Sequence, residues 1–335
     1  MINITNWLLT RRCNLNCSYC SIIKDYENKP KEYPDINHYN NNEMSVDNII
    51  KTIEKIQLNN PNCFHIFFGG EPLLRNDLFD IIKYCNDHNV EYTIISNSSP
   101  QTIGNLDLIL SKTFIKSFTT SVDPLIFLNY NNDEYKKSKY GFDNLLKMKN
   151  HIKDTVAEVT ISNSNIGQVY NTVELLTNNN ITSNINFVDI KKNNYYDFSN
   201  VLVGDNNIVN NDLLLRKIFT AMFNDNFKIH LGKKYIDKIL SILPYNFDCQ
   251  LEKDFYDLTI DADGSIRLCL RIRGVITPKI MNINNFINEK GKIDSKLLNY
   301  IKDDKLKYCR MCGWTGIIMS TMMYHDNKIS LVHKG

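Results

Sequence analysis

From the first residues to about position 190, short apolar runs of β-type residues alternate with segments whose apolar positions recur at three- and four-residue steps. The strand-like runs are 7–10, 64–68, 92–96, 117–122, 157–162 and 185–190. Val46, Ile49, Ile50, Ile53 and Ile56 form one apolar face of a predicted helix, because side chains three and four residues apart lie on the same side. Leu78, Ile81, Ile82 and Cys85 repeat that pattern, and Val169, Val173, Leu175 and Leu176 follow it more loosely. Ser45 and Asn76 precede the first two helices as N-caps. Repeated strand–helix units predict an α/β fold with a parallel sheet and right-handed crossovers. That sheet is either an open, partial barrel or doubly wound, and both place functional groups at the carboxyl ends of the strands.

Beyond residue 205 the texture changes. Residues 212–243 read as helical and Pro244 ends the run. Residues 257–260 and 265–270 flank Asp261-Ala262-Asp263-Gly264 and read as a β-hairpin whose turn uses Gly264. The expected organisation is a core over 1–205, a helical connector over 206–245, a small hairpin domain over 246–320 and a tail over 321–335. Residues 21–44 form a long insertion with Tyr26, Tyr33 and Tyr39, of a length that is usually functional or disordered.

Composition narrows the class. Of 335 residues, 43% are hydrophobic and 23% charged, ordinary for a globular protein, and the formal net charge of +2 argues for neither nucleic acid nor a membrane surface. No apolar run is long enough to cross a bilayer, and the first ten residues lack a secretory signal. A cytoplasmic location is therefore expected, where clustered cysteines serve as metal ligands or catalytic groups more often than as disulfides.

Cys13, Cys17 and Cys20 lie in Cys-Asn-Leu-Asn-Cys-Ser-Tyr-Cys, directly after the first strand. Three closely spaced thiolates suit an iron–sulfur cluster that leaves one iron open, whereas structural zinc wants a fourth ligand. The spacing Cys-x3-Cys-x2-Cys, with an aromatic residue before the last cysteine, resembles the signature of the radical S-adenosylmethionine superfamily. Gly69-Gly70-Glu71-Pro72, after the second strand, is similar to that family's Gly-Gly-Glu-Pro element.

The resemblance implies a partial (β/α)6 barrel and a [4Fe–4S] cluster whose open iron binds S-adenosylmethionine. It also implies a 5′-deoxyadenosyl radical that abstracts hydrogen from substrate, and a reductant such as flavodoxin or ferredoxin. By the same resemblance Tyr19 flanks the adenine. Gly69, Gly70 and Glu71 serve the methionyl ammonium, Ser121 contacts the ribose, and Asn97 and Asn165 line the opening. The family often places an arginine a dozen residues after that serine; here Lys136 or Lys137 stands in for it, as a point charge. The sequence names no acid–base residue.

A second set, Cys249, Cys269, Cys309 and Cys312, brackets the hairpin and ends in a Cys-x2-Cys knuckle. Four thiolates satisfy either zinc or an iron–sulfur cluster. The pattern resembles the twitch domain, a shortened SPASM domain, and implies one auxiliary [4Fe–4S] cluster. Cys63 and Cys85 read as core. Arg271 and Arg273, after Cys269, read as a solvated hairpin face.

A fully ligated second cluster suits electron relay, so the first expectation is oxidation of a small molecule. Modification of a peptide or protein side chain is the second. A rearrangement without net oxidation and a non-catalytic zinc-binding protein are the remaining alternatives.

Overall fold

The structure, a computed structural model, describes residues 2, 4–17, 20, 41–124, 133–152, 154–162, 164–187, 212–230, 232–233, 236–237, 257–267, 283, 287–288, 290 and 292. Apolar alternation and helical periodicity produce the chain order β1 (Ile4–Thr10), α1 (Val46–Asn59), β2 (Phe64–Gly69), α2 (Leu78–Asp87), β3 (Glu91–Ser96) and α3 (Pro100–Lys112). It continues with β4 (Ser117–Ser121), α4 (Asp133–Met148), β5 (Asp154–Ile161), α5 (Val169–Asn178), β6 (Thr182–Phe187), α6 (Asp212–Asn224), β7 (Asp257–Ile260) and β8 (Ile266–Arg267).

The strands form one open sheet in the order β6-β5-β4-β3-β2-β1-β7-β8. Every pairing is parallel except that of β7 with β8. Each of the first six strands sits beside the one before it, which is the arrangement expected of repeated right-handed β–α–β crossovers. All their carboxyl ends therefore open on one edge of the sheet.

The hairpin does not stand off as a separate layer. Its first strand extends the sheet, pairing β7 in parallel with β1 from Ile4↔Asp257 to Trp7↔Ile260. Leu258, Ile260, Ile266, Ile283 and Ile287 share one buried core with Trp7, Leu9, Ile49 and Ile53. Apolar side chains alternate along the strands, so Trp7, Phe67, Tyr92 and Phe118 meet the helices on one face. Each such side chain contributes about 1.5–3 kcal/mol by leaving water.

Local details follow from side-chain chemistry. Ser45 caps α1, its hydroxyl accepting from the Asn48 amide at 3.3 Å. The cap position of α2 is Asp77, one residue after the expected Asn76, and its carboxylate bonds the Arg75 guanidinium instead of the helix amides. The helical reading of 212–243 is interrupted after Asn224, and Lys233, Ile236 and Asp237 are helical again beyond the break. At the break the Phe227 amide bonds the Met222 carbonyl and Asn226 takes a left-handed φ of 55°, the usual way an asparagine closes a helix. The chain then runs beside β6, exchanging backbone hydrogen bonds with Ser183. Among the described residues no helix is long and apolar enough to cross a membrane.

Candidate active site

The three cysteines occupy the loop that leaves the carboxyl end of β1. Cys17 is buried while Cys13 and Cys20 are half-buried. The Cys20 amide bonds the Cys17 carbonyl at 3.1 Å, which turns the loop back on itself. The Cys13 sulfur accepts from the Leu15 amide at 3.5 Å and from Asn97 Nδ2 at 3.8 Å. N–H donors aimed at sulfur stabilise a thiolate. Burial pushes the Cys13 thiol up to about 11, with the charges of Cys20 and Glu71 adding to it; a metal centre bound at the sulfur would favour its thiolate. Among the described residues no three His, Cys, Asp or Glu side chains are gathered around a single-ion site. A cubane spreads its thiolates over separate irons, so three loop-borne thiols at a strand end suit it as a donor set.

The Gly-Gly-Glu-Pro element docks this loop. Gly70 donates its amide to the Thr10 carbonyl at 2.7 Å and Glu71 donates to the Arg12 carbonyl at 2.8 Å. A Cβ on Gly69 would collide with the Thr10 carbonyl, and one on Gly70 with the Arg12 carbonyl. Among the described residues, then, what the two glycines approach is the backbone before Cys13. Gly69 also has a φ of 148°, open to glycine alone at low cost.

Glu71 is fully buried, and its carboxylate faces inward. Oε1 accepts from the Leu73 amide at 2.9 Å and the Ser96 hydroxyl at 2.8 Å, and Oε2 from the Asn97 amide at 2.7 Å. Burial pushes its pKa up to about 7 against the pull of those three donors. Glu71 thereby ties the end of β3 to the end of β2 and sets Asn97 beside Cys13, where Asn97 also bonds Asn14 at 3.0 Å.

Ser121 is half-buried at the end of β4, and its carbonyl abuts Gly141 of α4, where a Cβ would not fit. Asn165 is buried, with both ends of its amide bonded inside its own loop, to the Ser162 amide and the Thr160 carbonyl. Of the two lysines, Lys136 is exposed. Lys137 is buried and pairs with Asp123 at 2.6 Å, and Asp123 donates its own amide to the Ser138 hydroxyl. Cys63 and Cys85 lie in the core, as expected. Tyr19, the insertion tyrosines, Cys249, Cys269, Cys309, Cys312, Arg271 and Arg273 lie outside the described residues.

One group escaped the sequence reading. Glu158 of β5 pairs in register with Ser121 on one side and Asn184 on the other. Its neighbours Ala157 and Val159 point into the helix layer and are buried, so Glu158 faces the other side, which is half-exposed. The signal was a lone carboxylate inside an otherwise apolar alternation. Asn184 Nδ2 donates to Glu158 Oε2 at 2.8 Å. The carboxyl is enclosed closely enough that desolvation dominates, pushing its pKa up to about 7; Asp123 adds to the rise, and Asn184 and Lys137 oppose it.

A raised carboxyl pKa means that the folded chain holds the proton more tightly than the unfolded chain does. The resulting stability is fully present below about pH 4.5 and is lost as pH rises through about 7. Glu158→Gln removes that loss. The variant is expected to exceed the native chain in stability at high pH by roughly 1–2 kcal/mol, the group being partly exposed, and to show no such gain in acid. Urea denaturation of the cluster-free full chain at two pH values checks this.

Comparison with known proteins agrees with this geometry. Residues 7–124 match the Radical SAM superfamily profile. The radical SAM cyclopropyl synthase TigE of Paramaledivibacter caminithermalis is 32% identical over 101 residues, covering 28% of this chain and 21% of that protein. The AdoMet-dependent heme synthase of Nitratidesulfovibrio vulgaris is 29% identical over 94 residues, covering 28% and 22%. The chain thus spans less than a third of the length of these curated relatives. Streptococcus suis SuiB bound to S-adenosylmethionine shares the fold with a TM-score of 0.57 at 13% identity, over 86% of this chain and 66% of SuiB. AnSMEcpe with bound AdoMet and the Cp18Cys peptide does so with a TM-score of 0.58 at 14% identity, over 99% of both chains. Residues 7–124 of this chain are therefore similar to the radical SAM superfamily, and its parallel α/β sheet is of the kind seen in SuiB and anSMEcpe.

Proposed function

We propose that the chain is a radical S-adenosylmethionine enzyme, with Cys13, Cys17 and Cys20 holding a [4Fe–4S] cluster beside the carboxyl ends of the strands. Bound there, the cluster and S-adenosylmethionine would supply reductive carbon–sulfur cleavage and a 5′-deoxyadenosyl radical that takes hydrogen from substrate. The observation that carries this reading is the docking of the cysteine loop onto Gly69-Gly70-Glu71 through the Gly70 and Glu71 amides.

The chain's own residues position and shield. Asn97 and the Leu15 amide direct donors at the Cys13 sulfur. Ser121 offers a hydroxyl at the end of β4 for the ribose, and Tyr19 its ring for the adenine. Lys137 stands in the region where the family places an arginine, but it is buried and locked to Asp123, so its charge is spent there and not on a cofactor carboxylate. Cys249, Cys269, Cys309 and Cys312 are proposed to hold an auxiliary [4Fe–4S] cluster, which favours net oxidation of a small molecule. A peptide substrate is the second reading. It is favoured by the fold shared with SuiB bound to the precursor peptide SuiA and with anSMEcpe bound to the Cp18Cys peptide.

Replacing Cys13, Cys17 and Cys20 together by alanine is expected to abolish 5′-deoxyadenosine formation by the anaerobically reconstituted, reduced protein. Iron is expected to fall from about eight to about four atoms per chain, and likewise when the four distal cysteines are replaced. Undiminished 5′-deoxyadenosine formation in the triple variant would overturn the assignment of the first cluster. About four irons in the native chain, unchanged without the distal cysteines, would remove the auxiliary cluster and with it the case for oxidation.

A further inference from the structure

We propose that Glu158, held by Asn184, anchors a positively charged amine of the substrate on the half-exposed face of the sheet. The proposal deepens the enzyme reading above and rests on it for the identity of that face as the substrate side.

The argument begins with hydrogen-bond accounting. Glu158 Oε2 accepts from Asn184 Nδ2 at 2.8 Å, while the second carboxylate oxygen accepts no hydrogen bond among the described residues. Asn184 must turn its amide nitrogen toward the carboxylate, and its Oδ1 is left buried, with no donor among the described residues. The two side chains together therefore have more acceptors than donors, and the buried Asn184 Oδ1 is unfavourable unless a donor arrives.

Charge points the same way. Lys137 is committed to Asp123 at 2.6 Å, both nearly inaccessible, and Asp123 also accepts from the Thr160 amide. Lys137 and Asp123 offset each other, so among the described residues an ionised Glu158 adds one negative charge to this cluster. An uncompensated carboxylate in such a site is costly, as its upward pKa shows. Above about pH 7 the arrangement lowers stability, and groups held at such a cost are characteristic of functional sites.

Position supplies the third point. Glu158 lies level with Ser121 across β4 and β5, so a group bound to it would lie beside the proposed ribose contact. Across the sheet the same face is lined by Ile66, Phe68 and Ile95, also half-exposed. A ligand laid over it would meet an apolar wall on one side and a carboxylate on the other. An alkylammonium satisfies both, supplying donors and charge at one end and methylenes at the other. A hydroxyl supplies donors without charge, and a carboxylate is repelled.

The test uses the full chain with its cluster reconstituted, saturated with S-adenosylmethionine so that an amine displacing the cofactor is told from one beside it. Putrescine, the neutral 1,4-butanediol and the anionic succinate are compared by calorimetry or saturation-transfer NMR above pH 8. Putrescine is expected to bind at least tenfold more tightly than butanediol, and succinate not at all. Glu158→Gln is expected to lose at least tenfold in putrescine affinity. Glu91→Gln, an exposed carboxylate at the start of β3, is the control expected to keep native affinity. Failure of the native chain to bind putrescine, equal binding of butanediol, or undiminished binding by the Glu158 variant each overturns the anchor. Amine binding without any 5′-deoxyadenosine formation would instead sink the enzyme reading and leave the anchor standing.

Discussion

Asp261→Asn is expected to cost about 3–5 kcal/mol of stability, the loss that follows when one partner of a buried ion pair is removed. Asp261 opens the turn between β7 and β8, and its carboxylate receives the Arg11 guanidinium on both oxygens, with Nε to Oδ1 at 2.6 Å and Nη2 to Oδ2. Both side chains are essentially inaccessible to water. Oδ1 also accepts the Ala262 amide, which shapes the turn. Removing the negative charge leaves Arg11 charged and buried, because a guanidinium does not give up its proton.

The consequence reaches the site because Arg11 lies between the end of β1 and Cys13. The strand pairing of β1 with β7 holds the C-terminal hairpin against the same strand that delivers the cysteines. Loosening Arg11 is therefore expected to release iron faster under a chelator, even in the fraction that stays folded. Replacing both partners by apolar residues, Arg11→Met with Asp261→Leu, is expected to recover most of the stability, since no buried charge then lacks a partner. Denaturant unfolding with a double-mutant cycle checks the energetics. An Asp261→Asn loss below about 1 kcal/mol would show that the pair is not carrying the hairpin.

Gly70→Ala is the second large effect. The added Cβ would fall well inside contact distance of the Arg12 carbonyl and close to that of Arg11. Both are backbone atoms that cannot swing aside as a side-chain tip would. The expected cost is about 2–4 kcal/mol, together with loss of the Gly70-to-Thr10 and Glu71-to-Arg12 hydrogen bonds that dock the cysteine loop. Iron content after reconstitution should fall with it. Gly104→Ala on α3 is the internal contrast: nothing lies within 4 Å of its Cβ, so helix propensity alone predicts a gain of up to about 1 kcal/mol. Equal behaviour of the two alanine variants, in stability and in iron, would remove the docking role of Gly70.

The readable part of this protein was periodic or local. Strand alternation and helix faces such as Ile49, Ile53 and Ile56 report burial directly, because one element buries one stripe. The run from Cys13 to Cys20 and the run from Gly69 to Pro72 are each contiguous, so their chemistry needs no folding to be recognised. The error at Asn76 and the missed break after Asn224 were errors of element ends, where one asparagine or one competing side chain decides.

What the tertiary structure decided was how residues distant in sequence meet. That Glu71 turns its carboxylate inward to Leu73, Ser96 and Asn97 depends on β2 and β3 lying side by side. That Lys137 is the buried lysine and Lys136 the exposed one depends on how α4 seats Gly141 against Ser121. Arg11 and Asp261 are 250 positions apart, and no spacing or periodicity links them. Glu158 became legible only when β4 and β6 flanked it and Asp123 met Lys137. Sequence pattern records which side of an element avoids water; charge pairing across the sheet depends on distances that exist only after the chain has closed on itself.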